Sequence, residues 1–155
     1  MIAADMATLG VSAAEIARVL LRRARGIRLF AALDTLEYLR RGGRISGTSG
    51  HVGGDLSVKP IITIKDGLVD VIDRASSRRA ARQRVVELLA AKPVEWLAVM
   101  YSPPADGYEF RAEVVEHIPG GIEDQHVIVY PVGVTIGPHV GPGCLGGVAL
   151  PAATA

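Results

Sequence analysis

Val58-Lys-Pro60-Ile-Ile-Thr-Ile64-Lys-Asp66-Gly67-Leu-Val69-Asp-Val71-Ile72 is the stretch that decides the fold. Two runs rich in Val and Ile flank an Asp-Gly pair. Those two residues accept positive φ readily, which suits a two-residue turn between antiparallel strands. Val58 to Ile64 reads as the first strand, and Val69, Val71 and Ile72 lie on the second. Pro60 has no backbone N–H to give a neighbour, which places it on an edge strand or at a strand start.

Downstream of the hairpin, Ser76 or Ser77 is positioned to cap a long helix. Val85, Leu88 and Leu89 share its apolar face, and Pro93 ends it. Trp96 to Tyr101 reads as a buried strand, and Pro103-Pro104 turns the chain. Residues 106–117 suit a helix whose apolar side is Phe110, Val114 and Val115. Val127 to Tyr130 is another strand, which Val132 to Ile136 extends. Residues 137–143 form a Gly/Pro/His loop, Leu145 to Leu150 is a last strand, and the Ala/Thr tail frays.

Upstream, Ser12-Ala-Ala-Glu15 has the spacing of a capping box and opens a helix bearing Ile16, Val19 and Leu20, closed at Gly26. Leu29 to Leu33 is a short strand. Asp34-Thr-Leu-Glu37 repeats the capping pattern and starts a short helix through Leu36 and Leu39, stopped by Gly42-Gly43. Residues 46–57 are Gly- and Ser-rich and read as a loop or a weak helix. A hairpin, a helix, then strand–helix–strand implies an α+β fold: a mixed, largely antiparallel sheet with helices packed on it as a two-layer sandwich.

The chain has 155 residues, enough for one domain with a real core, and 49% of them are apolar. Mean hydropathy is positive. That composition suits a large core, or a face that meets a partner domain, a second subunit or a lipid. Net charge is +1, which argues against a nucleic-acid partner. One cysteine, Cys144, excludes an intrachain disulfide and favours a reduced, cytoplasmic setting. No apolar run approaches the ~18 residues of a membrane helix, and the first residues lack the pattern of a signal peptide.

Two constellations could carry chemistry. In Asp34-Thr-Leu-Glu-Tyr-Leu-Arg-Arg-Gly-Gly-Arg44-Ile-Ser46, a capped helix runs into two glycines and presents an arginine. Arg44 could grip a carboxylate or phosphate bidentately, or it is a surface residue after a helix stop. In Ile136-Gly-Pro-His139-Val-Gly141-Pro-Gly143, three glycines and two prolines constrain one histidine. Such a turn can hold an imidazole ready to donate to a carboxylate, or the histidine is incidental to a tight turn. His51, His117 and His126 have no metal-ligand spacing, so zinc is not expected. No P-loop, dinucleotide fingerprint or nucleophile elbow is present. A hydrolase built from His139 with Cys144 or Asp55 is a remote alternative, because sequence neighbours at a strand start rarely face each other.

Taken together, the Asp34–Ile45 run, Lys59-Pro60, Asp66-Gly67 and Gly137-x-His139-x-Gly-Pro-Gly143 resemble the DegV family in letters, order and spacing over residues 3–150. The resemblance implies a non-enzymatic protein that binds one long-chain fatty acid in a tunnel between two domains. It also implies service as the acyl carrier of a bacterial fatty acid kinase, which supplies the catalytic machinery. The carboxylate would be held by hydroxyl residues of an N-terminal domain and by the histidine that maps onto His139; Arg44 would shape the interdomain wall or the anion end. The site residues so implied are His139, Arg44, Gly141, Gly143, Ile136 and Ser46.

On that resemblance the sequence corresponds to the C-terminal half. Residues 1–28 would be a helical remnant beside the other domain, 29–150 the lipid-binding domain and 151–155 a tail. Two segments depart from the family pattern. Gly47–Ser57, with Asp55, is too polar to line an acyl chain well, and Arg74 matches a family arginine of the kinase-docking surface only approximately. The alternative to lipid binding is a ligand-free interaction domain that self-associates through an exposed apolar face. No cofactor, nucleic-acid partner or membrane insertion is expected.

Overall fold

The hairpin around Gly67 is present. In the computed structural model, which describes residues 2–45, 58–65 and 67–152, β2 (Lys59–Lys65) pairs antiparallel with β3 (Leu68–Ala75). Asp66 itself, like the 46–57 segment with Ser46, His51 and Asp55, lies outside the described residues. Gly67 carries φ of +79°, the left-handed conformation that a hairpin turn needs. A register shift falls between Ile61 and Ile62: Ile61 faces Asp73, Ile62 faces Val71, and Ile72 is the extra residue. That bulge explains why Val71 and Ile72, adjacent in sequence, are both apolar.

The hairpin joins a six-stranded sheet with β1 (Arg28–Ala32), β4 (Val94–Tyr101), β5 (Val127–Pro131) and β6 (Leu145–Pro151), in the order β3-β2-β1-β6-β4-β5. Every pairing is antiparallel except β4 with β5. Parallel neighbours need a crossover, and α5 (Gly107–His117) lies in it. The expected α+β sandwich with a mixed, mostly antiparallel sheet is the observed architecture.

Pro60 starts its strand but does not mark an edge. β2 lies between β1 and β3. The proline is tolerated because it sits just beyond the last β1–β2 pair, Ala32 with Ile61, where only its carbonyl is engaged, by Leu33 N–H at 3.0 Å.

α4 (Arg78–Leu89) and α5 cover one face of the sheet. Ile61, Val85, Leu89, Leu97, Val99, Phe110, Val114 and Ala149 form the main core there. Ser77, not Ser76, caps α4, accepting from Ala80 N–H. Arg28 closes the other end, donating from Nη2 to the carbonyls of Leu89 (3.0 Å) and Lys92 (3.3 Å).

The second face carries a smaller core of Ala31, Leu33, Leu39, Ile62, Val140 and Cys144. It is covered at one end by α3 (Glu37–Arg41) and α6 (Gly137–Val140). Elsewhere no helix among the described residues covers this face. Ile62 is buried in that core, so Ile64, two residues on, projects from the same face and is exposed. Val127 and Val129 pack towards the main core, so Ile128 and Tyr130 point the other way and are exposed.

Four local expectations are corrected. Residues 132–136 do not extend β5, and 137–143 are not all loop. Pro138 lies in the first turn of α6, where its missing N–H costs nothing, and Gly141 at φ +73° stops the helix. Asp34 does not cap α3: the N-cap is Leu36, and Thr35 Oγ1 accepts from Glu37 N–H at 3.1 Å. The Ser12 box is half made, with Ser12 accepting from Glu15 N–H while the Glu15 carboxylate turns to Arg18. Residues 1–28 hold two helices, α1 (Ile2–Thr8) and α2 (Ala13–Ala24), and neither has a buried residue. α2 is tied to β4 by Arg23 with Glu95.

Phe110 is fully buried between α4, α5 and the sheet. Phe110→Ala is expected to cost about 3–5 kcal/mol, read as a lower midpoint in urea unfolding followed by far-ultraviolet circular dichroism.

Candidate functional site

The two glycine-rich motifs meet. Asp34 lies in the turn before α3, Tyr38 within it and Gly42 at its end. All three meet residues 139–143. A Cβ on Gly143 would fall 2.6 Å from Asp34 Oδ2, and one on Gly141 would fall 2.3 Å from the Tyr38 ring. In the opposite sense, a Cβ on Gly42 would fall 2.4 Å from His139 Nδ1. Only hydrogen fits at these three contacts. Gly141 and Gly143 also have φ of +73° and +77°, so each is glycine for its backbone as well.

The glycine pair after α3 divides its work. Gly43, at φ +64°, makes the helix stop: its N–H donates to Arg40 O and Arg44 N–H donates to Leu39 O. Gly42, at φ −75°, has a backbone that any residue can adopt. It is small because of His139.

Ser102, at the end of β4, holds the turn from below. Its hydroxyl donates to Gly141 O at 2.6 Å and accepts from Cys144 N–H at 2.9 Å. Its own N–H donates to Cys144 O at 2.9 Å, and Gly143 N–H donates to Pro103 O at 3.1 Å. The signal for Ser102 in the sequence was slight, a lone serine before two prolines.

His139 sits in α6, its ring half-buried and its Nδ1 buried without a hydrogen-bond partner among the described residues. Arg44 is not gathered to it. The Arg44 guanidinium is exposed and folds back to donate to Gly42 O at 2.7 Å. Ile136 is exposed on the approach to α6. Cys144 is buried, and burial pushes its thiol up to about 12, which removes it as a nucleophile near neutrality. Among the described residues, no three His, Cys, Asp or Glu side chains gather as for a metal ion.

Asp34 is the charged centre beside the turn. Arg78 at the start of α4 clasps its carboxylate, with Nε 2.8 Å from Oδ1 and Nη2 on Oδ2. Lys59 Nζ lies 3.5 Å from Oδ1 and 3.3 Å from the Asp34 carbonyl. Burial opposes the charge, but hydrogen bonding by Arg78 and the charges of Lys59 and Arg78 outweigh it and hold the carboxyl below its ordinary range. Arg74, by contrast, is exposed on β3. A cavity of about 560 Å³ opens between α4, α5 and the end of β1, lined by Asp34, Lys59, Arg78, Arg82, Gly143 and Leu145 among others. His139 and Arg44 do not line it.

A family model described as "Uncharacterised protein, DegV family" matches residues 1–152. The chain belongs to the DegV family. It is 33% identical over 148 residues to a DegV domain-containing protein of Streptomyces coelicolor, covering 93% of this chain and 52% of that protein. It is 31% identical over 150 residues to DegV of Bacillus subtilis, with coverage of 93% and 52%. Among solved structures, a DegV family protein from Thermus thermophilus described for fatty acid binding superposes with a TM-score of 0.80 at 29% identity, over 97% of this chain and 54% of that one. A DegV family protein from Corynebacterium glutamicum gives 0.84 at 22% identity, over 100% and 59%, and shares the fold. The chain spans about half the length of the curated relatives it matches.

A DegV chain with Asp34→Asn keeps the shape and loses the charge. Wild-type Asp34 titrates below its unfolded value, so its contribution is present above the usual Asp range and is lost as pH falls through its lowered folded value. Asp34→Asn should therefore be less stable than wild type at neutral pH, with the gap closing in acid. Urea unfolding at neutral and strongly acidic pH measures both differences.

Proposed function

We propose that this chain supplies the histidine-bearing wall of a site for one long-chain fatty acid, with the carboxylate at the His139 turn. It would act as a non-catalytic acyl carrier, the kinase that consumes the acid being a separate subunit. One observation carries the reading: in a DegV family chain, a constrained histidine stands at the rim of a sheet face that carries exposed apolar side chains. Ile64, Ile128 and Tyr130 on that face, with Ile136 beside α6, offer apolar surface to an acyl chain. Each methylene removed from water contributes about 0.8 kcal/mol, so the tail supplies the affinity and the head needs only one or two donors. The Thermus thermophilus and Bacillus subtilis relatives, described as fatty acid binding, support the ligand class.

In this proposal residues 29–150 form the ligand-facing domain, and the wholly unburied α1–α2 pair connects to the second wall. His139 is the head-group donor, Gly141 and Gly143 shape its turn, and Ile136 meets the first carbons. Arg44 flanks the mouth. Arg44 reaches an anion only by leaving Gly42 O.

The same exposed face favours a second reading, a ligand-free domain that pairs with its own copy. Mass spectrometry of an organic extract of the purified chain, titration with a fluorescent long-chain fatty acid and light scattering separate the two. Lipid binding predicts an extracted or titratable acid, and His139→Ala weakens binding about 10- to 100-fold, the worth of a hydrogen bond to a charged group. A lipid-free dimer that still shows no saturable binding when joined to the domain supplying the other wall supports the second reading and rejects the first.

A further inference from the structure

We infer that Gly42 is a positioning residue for His139: it fixes the neutral imidazole as the Nε2–H tautomer and so decides which nitrogen meets the ligand. The inference rests on the role of His139 proposed above and adds how that role is set.

The geometry is one-sided. Where a Cβ on Gly42 would stand, it would lie 2.4 Å from His139 Nδ1 and 2.9 Å from Cε1. The glycine hydrogen in that direction therefore points at Nδ1. A proton on Nδ1 would oppose one hydrogen to another, and no acceptor takes it among the described residues, where Nδ1 is buried and without a partner. Tyr38 O, 3.3 Å from that Cβ position, accepts from Gly42 N–H at 3.0 Å and makes no bond to Nδ1. A bare Nδ1 presents a lone pair to the glycine C–H, a weak attraction in place of a collision. In the neutral ring the proton then belongs to Nε2. Nε2 is outside the buried, unpartnered set and lies at the other end of a half-exposed ring.

The ring has little freedom to escape this contact. His139 N–H donates to Ile136 O at 2.9 Å, and the next residue, Val140, is buried in the second-face core. Gly141 is held by the Tyr38 ring and by Ser102. The end of α3 that stops at Gly42 is built on the same Tyr38 carbonyl. Helix and turn thus fix the backbone that carries the imidazole, set Gly42 against its Nδ1 edge and leave Nε2–H as the donor.

The test uses the full chain labelled with ¹⁵N-histidine, at mildly alkaline pH. Two-bond proton–nitrogen spectra report which ring nitrogen carries hydrogen, and His139 is assigned by its disappearance in His139→Gln. The expected spectrum has a bare Nδ1 and a protonated Nε2. Gly42→Ala should move the ring and replace that pattern with an averaged one, while Gly43→Asn, whose side chain would enter open space at a position asparagine tolerates, should leave it intact. A protonated Nδ1, averaged tautomers in wild type, or an unchanged spectrum in a folded Gly42→Ala would overturn the inference. Should Gly42→Ala fail to fold, side-chain mimics decide alongside the wild-type spectrum. Glutamine places its amide nitrogen near Nε2 and asparagine near Nδ1. His139→Gln should retain fluorescent fatty acid binding several-fold better than His139→Asn, and the reverse order contradicts the assignment. If wild type binds no fatty acid, the proposed function falls, and the nitrogen spectrum still decides the tautomer.

Discussion

Three glycines lie so close to side chains of the facing segment that only hydrogen fits there, and the site depends on that approach. Gly42 meets the His139 ring, Gly141 meets the Tyr38 ring and Gly143 meets the Asp34 carboxylate. Dense packing makes such contacts unforgiving, because an added methyl has nowhere to go without moving a neighbour. The consequence for chemistry is a histidine whose place is set by the fold. Ser102 completes the support by engaging the buried backbone on both sides of Pro142 through one hydroxyl.

The same interlock separates two environments. On the α4–α5 side, Asp34 gathers Arg78 and Lys59 at a cavity of mixed lining. On the other side, α6 borders a sheet face that carries the exposed Ile64, Ile128 and Tyr130. His139 belongs to the apolar side, the side on which the proposed acyl site lies. Asp34 belongs to the charged side. Burial works against its charge, and the bonds and charges of Arg78 and Lys59 outweigh that cost.

The sheet, α4 and α5 were legible because period-2 and helical patterns, an Asp-Gly turn and a serine cap are local signals. The centre of the sheet was not. Pro60 suggested an edge, yet β2 is interior, because its proline lies past the end of the neighbouring strand. The glycine motifs were visible as motifs, but their mutual contact spans about a hundred residues and no local pattern encodes it. Hence Asp34 read as a helix cap when it is an ion-pair centre, and Gly42 read as conformational when it is steric. Arg44 was drawn in by adjacency to the glycines, whereas the Schellman stop turns it back on Gly42 O. α6 was hidden because its four residues are rich in glycine and proline, which are ordinarily breakers.

A double-mutant cycle across Tyr38 and Gly141 tests the interlock most directly, with stability read from urea unfolding of the four chains. Gly141→Ala carries a backbone penalty at φ +73° and a collision with the Tyr38 ring. Tyr38→Ala removes only the collision. If the two segments are interlocked, Gly141→Ala costs less in the Tyr38→Ala background, with a coupling of at least about 0.5 kcal/mol. Equal costs in both backgrounds would mean that the helix and the turn do not constrain each other, and the account of the site would fail with them.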